Sequence, residues 1–336
     1  MSSTADPLPE AMQPIVCCLG ERVAGKPTQF MWERAIAAGQ LDWRAITIQL
    51  SSQDLPVALS GMYVMRIMGL RFYSSLQSLA LQQLAADQER LQFIGRITSA
   101  LRGPQSWQAW HNWGGAILAW GAQQANLSHA TCWLHGDSVE CRSLWVALLE
   151  GVAAGAPVPR TVLWTEPPAN VTPRWEIGSE VQLVQLESEE QGLAYLQEQH
   201  GVATQAKVSP DSPSASAVLL VAGVKLPGRK PTVGSRNDSD SRRESHAEAR
   251  QEPRVETRPE SRSLSAYLAG STVHCLVAGG AEAAPQAQSW SHRNLQFLSP
   301  PEQTVACEAY DFKRLTGCTV ASHVLRDAYD EYHGFE

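Results

Sequence analysis

The sequence predicts an α/β protein of two domains, and three observations carry that prediction. Short apolar runs alternate with helical stretches up to residue 108. The alternation resumes after Asn126 as a strand–helix–strand unit. A length of 336 residues allows two separate cores.

The elements follow in order. "PIVCCLG" (14–20) reads as a buried strand ending in a glycine turn, followed by a helix from Thr28 to Ala38. "LDWRAITIQL" is a second strand. Ser52 is an N-cap candidate for a helix running to Gly69. "LRFYS" is a third strand, "LQSLALQQLAADQERL" a helix, and "FIGRITSAL" a fourth strand bounded by "RGPQ". Beyond Asn126, "ATCWLHG" reads as a strand, "DSVECRSLWVALLEGVAA" as a helix and "PRTVLWTE" as a strand, the outline of a dinucleotide-binding half. "VQLVQL", "AVLLVAG" and "TVHCLVAGG" add short strands, and "GCTVASHVLRDAYDEYHG" reads as an amphipathic C-terminal helix. Between Pro227 and Ser263 apolar residues nearly vanish and arginines alternate with acids, Ser and Pro, which predicts a disordered insertion.

Composition narrows the function classes. The net charge of −7 and pI near 5.8 argue against a nucleic-acid or anionic-membrane partner. No apolar run is long enough for a membrane span, and the polar start "MSSTADPLPEAMQP" lacks the pattern of a signal peptide. Seven scattered cysteines, with Cys17 and Cys18 adjacent, suit reduced thiols and a cytoplasmic protein. Cys132, His135 and Cys141 fit no standard zinc spacing, so no metal is expected.

With these elements in place, "GERVAGKP", "AGQLDWRAITIQLSSQDLPVALSGMYVMRIMGLRFYSS" and "IGRITSAL" resemble the substrate-binding half of shikimate dehydrogenases. The spacing of Gly20, Gly69, Gly95, Gly114, Gly317 and Gly334 follows the same skeleton. The resemblance implies a shikimate-dehydrogenase-like substrate domain over residues 12–108 plus the C-terminal helix within 300–336. It further implies a hinge at 109–125 and a Rossmann-like parallel-sheet domain at 126–299, behind a disordered N-terminus of residues 1–11.

The family passes a hydride between NADPH and the C3 position of dehydroshikimate, with a lysine and an aspartate serving the C3 oxygen. Its Asn-Val-Thr-x-Pro-His-Lys motif corresponds to "RFYSSLQ", which places Tyr73 at the threonine and Gln77 at the lysine. Its hinge Asn-Thr-Asp-Gly corresponds to "HNWG", which places Trp113 at the aspartate. The remaining substrate contacts map to Lys26, Thr28, Thr98 and, in the closing helix, Val324. No lysine lies between residues 27 and 206 and no aspartate between Asp87 and Asp137, so a small shift of register does not restore the pair. Gln77 can donate a hydrogen bond but cannot shuttle a proton.

The cofactor half departs from the pattern too. The glycine-rich turn corresponds to "HGDSV", which retains Gly136, adds Asp137 and offers Ser138. The 2′-phosphate grip corresponds to "WTE", with Thr165 and Glu166; Glu166 could accept from an NAD ribose or simply be an exposed carboxylate. NAD(P) is thus implied by resemblance alone.

Several features stay double. Trp107, Trp110, Trp113 and Trp120, joined by Trp32 and Tyr73, could wall an aromatic interdomain cleft for a small-molecule ligand, or fill a vacated pocket. Lys26 with Arg71 could hold an anion or be solvated surface cations. His111 beside Asn112 could replace the acid–base pair or be a packed ring. Asn126 and Asn170 match glycosylation acceptors by chance in a cytoplasmic protein. The expected function is a shikimate-dehydrogenase-like protein without dehydrogenase activity, with a metabolite-binding, regulatory or protein-partner role. The alternative is an NAD(P)-dependent shikimate oxidoreductase of aromatic amino acid biosynthesis working with substituted residues.

Overall fold

The computed structural model describes residues 13–168, 181–200, 218–222, 274–278 and 295–334. The N-terminal tail, the 227–263 insertion and Asn170 lie outside the described residues.

The first sheet contains β1 (Ile15–Gly20), β2 (Arg44–Gln49), β3 (Gly69–Phe72), β4 (Ser99–Arg102) and β5 (Trp107–Trp110), in the order β2-β1-β3-β4-β5. β1 pairs in parallel with β2 and β3, whereas β4 and β5 run antiparallel. Both faces of β1 are covered, as its unbroken apolar run requires. Cys17 and Leu19 enter one core with Leu70 and Phe72. Val16 and Cys18 enter another with Met31, Trp32 and Phe312. The strand period of 2 therefore sends the adjacent cysteines to opposite faces. Burial pushes the Cys17 thiol up to about 12, so it is inert as a nucleophile at neutral pH.

Helix α1 (Thr28–Ala38) covers one face, and α2 (Leu55–Val64), α3 (Gln77–Leu84) and α4 (Glu89–Ile94) cover the other. Three boundaries differ from the sequence reading. Ser51 caps the short 3₁₀ turn Ser52–Asp54 that leads into α2, its Oγ accepting from Asp54 N at 3.3 Å, so Ser52 lies within that turn instead of capping it. α2 stops at Val64 because Arg66 turns left-handed (φ 59°), which returns the chain to β3. Phe93 and Ile94 end α4 instead of opening a strand, since Gly95 at φ 86° supplies a left-handed C-cap.

The second sheet contains β6 (Thr131–His135), β7 (Thr161–Thr165), β8 (Gln182–Leu186), β9 (Val218–Ala222), β10 (His274–Ala278) and β11 (Leu295–Leu298), in the order β11-β10-β9-β6-β7-β8. Every pairing in it is parallel. This is the doubly wound order, whose switch point lies between β6 and β9. Helices α5 (Trp113–Gln124), α6 (Val139–Ala153) and α7 (Glu189–His200) belong with it. The hinge stretch is thus largely α5.

Two C-terminal helices return to the first sheet: α8 (Pro300–Thr316) and α9 (Ser322–Gly334). A capping box between Ser299 and Glu302 starts α8, and Gly317 ends it at φ 73°. Sequence reading had found α9 but not α8, whose stripe is interrupted by acids. Among the described residues no helix is long and apolar enough to cross a membrane.

Two adjacent glycines let the helices meet. A Cβ on Gly114 would lie 2.1 Å from the Ser143 carbonyl oxygen of α6, and one on Gly115 would lie 2.4 Å from the Tyr310 ring of α8. Gly114→Ala should therefore cost about 1–3 kcal/mol or more. Gly61→Ala, in α2 with nothing within 4 Å of the added carbon, should instead stabilise by about 0.5–1 kcal/mol. Urea unfolding of both variants checks the contrast.

Candidate functional site

Arg71 of β3 lies at the centre of the first domain's polar cluster. Its Nη2 donates to Glu308 Oε1 at 3.0 Å, and its Nε lies 3.2 Å from Asp311 Oδ2. Its Nη1 donates to the carbonyls of Phe72 and Thr98 at 3.1 and 3.2 Å. The Arg71 side chain is 11% exposed, and those of Glu308 and Asp311 3% and 0%. The surface-cation reading of Arg71 is thereby corrected: the anion it holds belongs to the protein. Lys26 remains exposed, and no described contact joins it to Arg71.

Helix periodicity explains the partners. Glu308 and Asp311 are three residues apart and share the face that buries Val305, Phe312 and Leu315. Asp311 accepts from Trp110 Nε1 at 2.7 Å, Asn112 Nδ2 at 2.6 Å and Ser99 Oγ at 2.8 Å. Thr28 Oγ1 donates to Glu308 Oε1 at 3.3 Å, while Thr98 Oγ1 accepts from Asn112 N at 2.8 Å. The Tyr73 ring covers Gly20, and burial raises its phenol. Burial opposes the charge on Arg71, but Glu308 and Asp311 outweigh it and raise its pKa. Burial pushes Asp311 up to about 6, against the pull of Arg71.

The tryptophans do not form one wall. Trp107 and Trp110, three apart on β5, face opposite sides; the first enters the core with Leu70, the second the core with Phe312. Trp32 joins the second of these cores, and Trp113 and Trp120 pack on the core of the second domain. His111 Nδ1 lies 2.7 Å from Ser143 Oγ, and burial pushes the ring down to about 3.

At the second sheet, β6 ends in His135 and Gly136, which has φ 74°. Ser138 caps α6, its Oγ accepting from Cys141 N at 3.2 Å. Arg142 Nη2 donates to Asp137 Oδ2 at 2.6 Å. Thr165 points inward and accepts from Trp133 Nε1 at 2.9 Å, whereas Glu166 is exposed at φ 52°. Cys132 and Cys141 lie in the core, and no metal-holding group of His, Cys, Asp and Glu occurs among the described residues.

No protein-family model matches the chain, and no curated protein matches it in sequence. Solved structures do match in fold. Shikimate 5-dehydrogenase from Listeria monocytogenes, in complex with shikimate and NAD, superposes with TM-score 0.57 at 10% identity, covering 94% of this chain and 96% of that one. Mycobacterium tuberculosis shikimate dehydrogenase gives 0.54 at 14% identity, covering 95% and 99%. Ligand-free 5-ketofructose reductase of Gluconobacter gives 0.54 at 13%, covering 96% and 99%. The fold is shikimate dehydrogenase-like.

The positions that resemble the shikimate dehydrogenase motifs hold different chemistry. Gln77 Nε2 donates to the Phe72 carbonyl at 3.1 Å, and Trp113 Nε1 donates to Gln303 Oε1 at 3.3 Å. Thr28 and Thr98 join the Arg71 cluster, and Tyr73 packs beside it. Val324 is half-buried in the first turn of α9. The C-terminal helix that places polar groups in this cluster is α8, through Glu308 and Asp311. Sequence reading missed both, although two acids within an apolar stripe are the sign of a buried cation partner. In the shikimate dehydrogenase-like second domain, Ser138 and Asp137 occupy the start of α6 where a pyrophosphate binds in dinucleotide folds. These residues do not fit that group: Asp137 sets a carboxylate where the phosphates' charge would fall.

Removing one member of a buried ion pair strands the other, at about 3–5 kcal/mol. Arg71→Met should cost that much at pH 7 and less at pH 5. Without the guanidinium, the Asp311 carboxyl rises further above its unfolded pKa. Its contribution is then present at low pH and lost as pH rises. Urea unfolding at both pH values checks this, and an equal cost at each would contradict it.

His135 gives the opposite slope. Burial holds it down to about 4, so its contribution is full above about pH 6.5 and lost as pH falls toward 4. His135→Gln should flatten that part of the stability–pH curve.

Proposed function

We propose that this chain is a degenerate shikimate dehydrogenase-like protein that does not act as a dehydrogenase and serves a metabolite-binding, regulatory or protein-partner role. The observation that carries the reading is the Arg71–Glu308–Asp311 cluster, which ties together Thr28 and Thr98, residues at substrate positions of the resembled family. A polar substrate there would have to displace an internal guanidinium from two carboxylates and leave all three charges buried. Replacing such a pair costs more than the few hydrogen bonds a small hydroxy acid returns.

Proton transfer fails on the same residues. The amide of Gln77 cannot exchange a proton at neutral pH, and the indole of Trp113 is a donor only. Asp311 could titrate but is sealed by three donors and fully buried. His111 could accept a proton but is held by Ser143. Loss of one acid–base group costs about 10²–10⁴ in rate, and both family positions are changed here.

The second reading, an NAD(P)-dependent shikimate oxidoreductase, draws on the doubly wound order of the second sheet and on Glu166 directly after β7. Purified protein at high concentration, supplied with shikimate and either NAD⁺ or NADP⁺, separates the two. The proposal expects no turnover above the uncatalysed background. Turnover near that of an ordinary metabolic enzyme, about 10 s⁻¹, would establish the second reading instead.

A further inference from the structure

A cavity of about 320 Å³ opens between α4, the end of β5, α6 and α8, so that both domains wall it. It contains none of the residues matched to substrate or cofactor positions. Its apolar wall is made by Leu91, Ile94, Val146 and Ala147. Its polar wall is made by His111, Tyr310 and Arg314.

Each polar group is positioned. The Arg314 guanidinium carbon lies 4.5 Å from the centre of the Trp110 ring, and its Nη1 lies 3.4 Å from Tyr310 Oη. Stacking on an indole holds the fork in one plane and leaves its edge free for a planar anion. Among the described residues Arg314 has no carboxylate within salt-bridge distance. Arg90 and Glu150, 4.0 Å apart at the solvent side, offset each other, and Glu89 is exposed beside them. Ser143 Oγ accepts from Gly114 N at 2.9 Å, and its hydroxyl can also donate to His111 Nδ1, 2.7 Å away. In the tautomer whose Nδ1 accepts from that hydroxyl, Nε2 carries the ring proton and is a donor.

We propose that this cavity binds a small organic carboxylate with an apolar body, the carboxylate on Arg314 with the Tyr310 hydroxyl and His111 Nε2–H, the body against Leu91, Ile94, Val146 and Ala147. The volume, at the low end for ligand pockets, sets the size class. Such a ligand touches α4 and β5 of one domain and α6 of the other, so its binding tightens their contact.

Calorimetric titration of the full chain with benzoate, its neutral isostere benzamide, and inorganic phosphate tests the site. Benzoate should bind saturably with one site per chain, and benzamide and phosphate at least about tenfold more weakly, since a charge-assisted bidentate contact and apolar burial are both needed. Arg314→Gln, at an exposed position, and Ala147→Leu, which narrows the cavity, should each weaken benzoate about tenfold or more while Lys26→Gln leaves it unchanged. Three results would each overturn the proposal: no saturation by about 10 mM benzoate, equal binding of benzoate and benzamide, or loss of binding in Lys26→Gln but not in Arg314→Gln.

Discussion

Among the described residues, Arg71 carries the positive charge of a buried cluster that β3, β4, β5, α1 and α8 all reach. A guanidinium placed among apolar side chains needs partners; here two carbonyls and Glu308 accept from its Nη atoms, and the Asp311 carboxylate lies 3.2 Å from its Nε. The requirement runs both ways. Glu308 and Asp311 can sit on the core face of α8 because Arg71 stands opposite, and α8 is held in place because leaving would strand charge on both sides. Asp311 then draws in Trp110, Asn112 and Ser99, so the start of the interdomain segment is fixed by the same carboxylate.

On the proposed reading, that arrangement accounts for how a shikimate dehydrogenase-like fold persists without the charged pair that the resembled family uses at the C3 oxygen. An open polar cleft is costly to keep once its groups are lost, because unpaired donors and acceptors remain in a low-dielectric setting. In this chain, carboxylates from its own helix α8 meet the buried guanidinium, which the proposed function reads as taking the place of a ligand's polar groups. The start of α6 in the second domain is likewise met by the chain's own groups. Ser138 accepts from the Cys141 amide in the first turn of α6, and Asp137 supplies the negative charge that a helix N-terminus favours.

Much of the scaffold was legible in the sequence because local rules decide it. The unbroken apolar run of β1 and the βαβ pattern of β6, α6 and β7 each announce themselves within a dozen or so residues. What failed to show was set by distant residues or by single backbone torsions. The end of α2 depends on Arg66 adopting a left-handed conformation, which no periodicity signals. Arg71 looked like a surface cation because its partners lie more than two hundred positions away, in a helix whose acids hid its apolar stripe. The tryptophans look like one feature along the chain, but strand alternation separates them. Gln77 and Trp113, at positions that resemble the family's motifs, could be read directly, whereas the Glu308 and Asp311 partners of Arg71 could not.

The central claim is that the protein's own ion cluster occupies the substrate position. Equilibrium dialysis of radiolabelled shikimate against the full chain at millimolar concentration, without cofactor, measures this most directly. The account predicts that bound label stays proportional to free label, with no saturation; one saturable site per chain, abolished by substituting Thr28 or Thr98, would contradict it.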